Sequence, residues 1–178
     1  EITKFFGDRE IKTFTEEIAL KARKEGWEGF ILRQADDSIT FTMNGKPKRK
    51  GAYKFKFIET TDCIVAKVCP GSGKHEVRFA RFRLYQYENS PFFDDPVLVD
   101  CGWAGGGRLG EDNMDKLTAE LIEKGYKLEE SELKEKDWFA VELEYQSRQD
   151  RNDKGQLCFE FPIIIRTRKD KPLSECEV

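Results

Sequence analysis

The sequence holds a single histidine, His75, and no C-x-x-C pair, so the usual ligand sets of a structural zinc site are missing. Five cysteines (Cys63, Cys69, Cys101, Cys158, Cys176) are an odd number, which argues against a disulfide framework. Buried reduced thiols in an intracellular, reducing compartment are the expectation. No stretch approaches the roughly 20 consecutive apolar residues that span a bilayer, and no charged-then-apolar leader stands at the start, so no membrane partner is expected. An excess of one charge is lacking too. The 31 basic and 34 acidic residues leave a net charge of −3, so any attraction to nucleic acid must come from local distribution. The first residue is Glu1 rather than Met, which reads as a processed or excised piece.

The 178 residues, 38% of them hydrophobic, suffice for one ordinary domain or for a small domain plus part of another. Ile11, Phe14, Ile18 and Ala22 recur at helical spacing over residues 10–25, with Gly26 placed to cap the helix. Strands follow at Gly29–Arg33 and Ser38–Met43, and then a basic loop, NGKPKRKG, that contains Lys46, Lys48, Arg49 and Lys50. Residues Tyr53–Phe57 alternate, placing Lys54 and Lys56 on one face and aromatics on the other.

Beyond residue 60 the order changes to strands over 62–68, 76–88 and 96–101, a helix over 112–124 closed by Gly125, and strands over 138–147 and 157–168. Ile163, Ile164 and Ile165 read as buried. Five strands with one helix between the third and fourth is the order of an OB-fold, a five-stranded Greek-key barrel that commonly binds oligonucleotides. The chain is therefore expected to be mainly β with some α: residues 61–178 form the barrel, and residues 1–60, too few for a second complete core, form the C-terminal segment of an α+β domain. The G-x-G-x-x-G at 105–110 has only one strand–helix pair around it and reads as the loop leading to the barrel helix. GSGK at 71–74 lacks the first glycine and the Ser/Thr of a phosphate loop, and reads as a hairpin turn.

Three charged clusters remain. They are Glu28 at the head of a strand, the Lys54/Lys56 pair, and RTRKDK at 166–171, which an apolar strand carries out of the core. A strand-borne carboxylate near two same-face lysines suits a metal-bound polyphosphate, with the carboxylate on the divalent cation and the lysines on phosphate oxygens. Taken singly, each cluster also reads as a solvated or salt-bridged surface. Arg81 and Arg83 share a strand face, with Phe79 expected beside them and Phe82 opposite, which fits either a DNA-facing surface or simple amphipathic alternation.

Together, EGFILR, YKFKF, VELEYQ and the closing P-x-x-x-R-x-R-x-D-K resemble, in order, motifs IV to VI of the C-terminal part of an ATP-dependent DNA ligase, from about Gly26 to Leu173. The resemblance implies that residues 1–60 end an adenylation (nucleotidyltransferase) domain and that the whole enzyme uses ATP and Mg²⁺. A K-x-D-G lysine would take AMP from ATP, AMP would pass to the 5′-phosphate of nicked duplex DNA, and the 3′-hydroxyl would displace it. On that likeness Glu28 holds the metal, and Lys54 and Lys56 contact the α-phosphate. Arg166, Arg168, Asp170 and Lys171 are swung over the ATP by the barrel. Lys48, Arg49, Lys50, Arg81 and Arg83 are the candidate DNA contacts. No K-x-D-G occurs in the chain; KEKD at 134–137 is followed by Trp138. The resemblance thus implies an inactive piece whose partner is an upstream adenylation domain, with a monomer expected. Phe159, Glu160 and Phe161 stand where such ligases often carry basic residues before the motif VI proline. The alternatives are part of an RNA ligase or capping-type nucleotidyltransferase, and a stand-alone OB nucleic-acid-binding module.

Overall fold

The computed structural model describes residues 16–33, 39–41, 43–44, 47–49, 52–92, 94–149, 151–153 and 155–178. The chain divides into two compact units, Glu1–Phe57 and Ile58–Val178. It is mainly β, and no described helix is long and apolar enough to cross a membrane.

Among the described residues, the first unit contains helix α1 (Glu16–Lys24) and four short strands, β1 (Gly29–Arg33), β2 (Ile39–Phe41), β3 (Pro47–Arg49) and β4 (Ala52–Lys56). Of the expected helix, residues 10–15 with Ile11 and Phe14 lie outside the described residues. Ala22 is fully buried, and Gly26 adopts φ 75° just past the helix end, as the expected cap. Strands β1 and β4 pair antiparallel with Gly29 opposite Lys56 and Ile31 opposite Lys54. Phe30 packs on Phe55 and Phe57 at ring-centroid distances of 5.6 and 5.7 Å. The NGKPKRKG segment is not wholly loop. Pro47–Arg49 is a strand, with Thr40 opposite Lys48, because β2 supplies an edge to which this stretch adds a short antiparallel ladder. Lys46 and Lys50 lie outside the described residues.

The second unit is a closed ring of strands. β5 (Glu59–Pro70), β6 (Phe79–Glu88), β7 (Val97–Gly105), β9 (Phe139–Tyr145) and β10 (Ile163–Thr167) run β5-β6-β7-β10-β9 and return to β5, while β8 (Ser131–Glu132) adds to the far end of β5. The β7–β10 seam is parallel and consists of Ile163 opposite Gly105, so the barrel is closed by a thin seam; the other pairings between barrel strands are antiparallel. With helix α2 (Glu111–Glu123) between the third and fourth barrel strands, this is the OB-fold.

β5 closes the ring by pairing with β9 over its first half and β6 over its second, with a register shift between Val65 and Lys67. Such a bulge bends the strand, which a small barrel needs. α2 presents Met114, Leu117, Thr118 and Leu121 inward, the i, i+3, i+4, i+7 stripe of a helix lying on a core. Thr118 Oγ1 donates to the Met114 carbonyl at 2.7 Å and accepts the Phe79 N–H at 2.9 Å, which ties the helix to the start of β6.

Several strand limits differ from the alternation in the sequence. The second barrel strand begins at Phe79 rather than 76, the third runs on to Gly105, and the last is confined to Ile163–Thr167. Only Ile164 of the isoleucine triplet is fully buried, because Ile165 is the extra residue of a bulge between the pairs Ile164–Leu143 and Arg166–Glu142. Phe79 faces the core rather than sitting beside Arg81, since a register shift pairs Cys69 with Arg81 but Pro70 with Phe79 and reverses the pleat at Ala80. All five cysteines are free. Burial raises the Cys101 thiol to about 12 and that of Cys176 to about 11, which leaves both as inert thiols.

Candidate functional site

In the first unit, Glu28, Gly29, Phe30, Ile31, Lys54, Phe55 and Lys56 line a pocket of about 150 Å³. The β1–β4 register makes it. Residues directly opposite share a sheet face, so Lys54 and Lys56 flank the face of Gly29 and Ile31, and the Glu28 carbonyl accepts the Phe57 N–H at 3.0 Å to prolong the ribbon. Gly29, at φ 146°, allows the strands this close: a Cβ built there would lie 2.1 Å from the Phe55 carbonyl oxygen. Glu28, Lys54 and Lys56 are exposed, and no described acid pairs with Lys54. No group of three or more His, Cys, Asp or Glu stands ready for a metal among the described residues. A lone carboxylate beside two lysines nevertheless fits a magnesium that takes most of its oxygens from water and a polyphosphate.

At one end of the barrel in the second unit, the RTRKDK segment is neutralised by carboxylates. Arg166 Nε donates to Glu142 at 2.5 Å. Arg168 is held on three sides, with Nε and Nη2 donating to Asp170 at 3.1 and 3.0 Å and Nη1 to Asp62 at 3.2 Å. Lys171 Nζ donates to Asp62 at 2.7 Å. These bonds raise Arg168, chiefly through Asp170, and Lys171, chiefly through Asp62, and they lower the Asp170 carboxyl through Arg168. The salt-bridged surface is therefore what this cluster forms here. Its groove, about 380 Å³, is lined by α2, by Trp138–Ala140 and by Thr167–Lys169 with Lys171–Leu173.

Arg81 and Arg83 lie on β6 and stack over the Trp103 ring at 5.2 and 5.6 Å from its centroid. Arg83 is also paired with Asp100, whereas Arg81 is exposed. Lys48 and Arg49 are placed on β3, but their side chains are not described, and Lys50 lies outside the described residues. The sequence candidates thus gather as Glu28 with Lys54 and Lys56 on one unit, and Arg166, Arg168, Asp170 and Lys171 on the other.

Three participants escaped the sequence reading. Asp62 looked like one acid in a β-branched run, and Glu142 like the polar half of an alternating strand. Trp103 lies where β7 was expected to have ended, and directly opposite Arg83. Glu142 lies on β9, the strand beside the one that carries RTRKDK, and Asp62 lies one strand further across the sheet, on β5.

No protein-family model matches the chain, and no curated protein matches its sequence. Solved structures do. Pmar-Lig_Pre is 16% identical, with a TM-score of 0.54 over 85% of this chain and 29% of that one. The ligase domain of M. tuberculosis LigD is 18% identical, with a TM-score of 0.46 over 89% and 50%. A mycobacterial DNA ligase D complexed with ATP and MES is 18% identical, with a TM-score of 0.42 over 88% and 48%. The likeness to Pmar-Lig_Pre is one of fold. The chain spans about half the length of the two mycobacterial structures and 29% of Pmar-Lig_Pre.

Proposed function

We propose that the chain is the end of the adenylation domain together with the OB domain of an ATP-dependent DNA ligase, which seals nicks in duplex DNA. One observation carries the reading: the β1–β4 register gathers Glu28, Lys54 and Lys56 around one small pocket on a ribbon brought close by Gly29. ATP and Mg²⁺ would supply the adenylyl group and the cationic charge. Glu28 holds the cation, and Lys54 and Lys56 neutralise α-phosphate oxygens as charge develops on them. Arg166, Arg168 and Lys171, with Asp170 orienting Arg168, serve the pyrophosphate leaving group when the barrel closes over the nucleotide. The K-x-D-G lysine is supplied by residues outside this chain, so the chain alone forms no covalent AMP adduct. Arg81 and Arg83, with Lys48, Arg49 and Lys50, contact phosphates of nicked duplex, and that binding is independent of sequence and weakens steeply with salt. The buried free thiols of Cys63, Cys101 and Cys176 support a reducing compartment.

The test joins the chain to an adenylation segment carrying the lysine and compares two reactions, self-adenylation and sealing of a pre-adenylated nick. Losing one preorganised contact costs about 10²–10³ in rate. Arg168→Ala and Lys171→Ala should therefore slow self-adenylation by at least about 10² while slowing pre-adenylated sealing less than about tenfold. Lys54→Ala should slow both, since an α-phosphate contact is needed whichever group leaves. Equal slowing of both steps by the motif VI variants would make those residues DNA contacts or scaffold. Faster sealing of nicked RNA than nicked DNA would assign the chain to an RNA ligase instead.

A further inference from the structure

Asp62 and Glu142 stand directly opposite each other on β5 and β9, and Glu142 stands opposite Arg166 on β10. The row across three strands reads acid, acid, base. Like charges directly opposite destabilise a sheet, so the first pair costs stability unless something neutralises it. The neutralising groups come from the end of β10 and from the segment after it. Arg168 Nη1 lies 3.2 Å from Asp62 and 4.0 Å from Glu142, Lys171 lies 2.7 Å from Asp62, and Arg166 lies 2.5 Å from Glu142. Asp62 is only 14% exposed, and Arg168 and Lys171 are 22% and 21% exposed. Every nitrogen of the Arg168 guanidinium already donates to a carboxylate. Arg168 and Lys171 also line the 380 Å³ groove, together with Lys124, Lys136 and Lys169 against Glu120 and Asp137.

We infer that the groove is a binding site for an oligophosphate whose cations are held in advance by Asp62, and that a phosphate ligand binds by exchanging with the Asp62 carboxylate on Lys171 and Arg168. The inference rests on the role proposed above for the segment and adds the resident competitor. A carboxylate and a phosphate oxygen offer these donors the same acceptor geometry, so the resident acid keeps both cations aimed and desolvated while lowering their affinity for the ligand. Binding requires the Asp62 side chain to turn off the two cations. It requires one anion to be traded for another.

The test uses the 178-residue chain and inorganic pyrophosphate at constant ionic strength, by calorimetry and by NMR of the Asp62 side-chain carboxyl carbon. Wild type should bind weakly, with the Asp62 carboxyl signal moving as the site fills. Asp62→Asn should bind about tenfold tighter or more, because a hydrogen bond between charged groups no longer has to be broken. Lys171→Ala in that background should erase the gain. If pyrophosphate binding requires Lys171 but Asp62→Asn binds no tighter and the Asp62 signal stays still, the exchange is wrong while the proposed function stands. If Lys171→Ala changes nothing in either background, both the exchange and the phosphate role of the segment are wrong. Should Asp62→Asn fail to fold by circular dichroism, the wild-type carboxyl signal decides alone, movement supporting the exchange and stillness overturning it.

Discussion

The β1–β4 ribbon and the end of the barrel carry short basic motifs that look alike in sequence, yet the structure treats them in opposite ways. On the ribbon, Lys54 is exposed and meets no described acid, and the aromatic face of β4 stays partly open, with Tyr53 at 58% and Phe55 at 45% exposure. At the barrel end, Arg166, Arg168 and Lys171 are all neutralised by Asp62, Glu142 and Asp170. The difference follows from what lies beneath. The ribbon buries Phe30, while the Lys54 charge sits where water solvates it. A closed barrel with fully buried Val68, Phe82, Leu84, Leu143 and Ile164 has stability to spare for two opposed acids and a bulge. An arginine or lysine in a motif is thus only half a statement; whether its charge is available depends on acids contributed by neighbouring strands.

If the barrel end is held by fully buried side chains and the outer face of β4 is half in water, cavities should act unequally. Ile164→Ala removes a side chain with no exposure next to the charged segment and should cost about 2–5 kcal/mol. Phe55→Ala should cost about 1 kcal/mol or less, because nearly half of the ring remains in water. Urea unfolding of each variant decides. Equal losses would mean that the two regions share one cooperative core and that the contrast between them is superficial.

The ribbon's own weak point is backbone rather than core. Gly29→Ala must push β1 away from β4, since its Cβ would meet the Phe55 carbonyl oxygen in a φ region that alanine avoids, for about 1–3 kcal/mol. Hydrogen exchange at Phe30, Ile31 and Lys54 should accelerate, while amides of β9 and β10 stay protected. Gly105→Ala, with nothing within 4 Å of the added carbon, is the silent control. Unchanged exchange in Gly29→Ala would mean that the pocket does not depend on the close approach of the strands.

Much of this was legible in the chain. Period-two runs and a single amphipathic helix gave the order of the barrel strands, and the order gave the OB-fold. What escaped were features that only pairing creates. The pleat reversal that buries Phe79, the bulge at Ile165 and the strand at Pro47–Arg49 depend on which strand lies alongside. The site was legible in the same measure. Lys54 and Lys56 announce themselves by alternation, but Asp62 acquires meaning only when folding brings it, across more than a hundred residues, to Arg168 and Lys171.

The smallest expected effect concerns acid. Burial raises the Asp100 carboxyl, but bonds from Arg83, from the Gly102 N–H at 2.9 Å and from Gln156 at 2.8 Å outweigh it, and its pKa falls below the usual value. A lowered folded-state value means that Asp100 contributes stability in full above the unfolded-state pKa, about 3.9, and loses it as pH falls through the folded-state value. Asp100→Asn should therefore destabilise the barrel slightly at neutral pH, by about 1 kcal/mol or less for a pair still touched by water, and flatten the loss of stability below about pH 4. Thermal melts from pH 7 down to pH 2.5 read both effects. If the acid limb of Asp100→Asn matches that of wild type, water already screens the Arg83–Asp100 pair, and the stacking of Arg83 over Trp103, which does not titrate, is what orients that arginine.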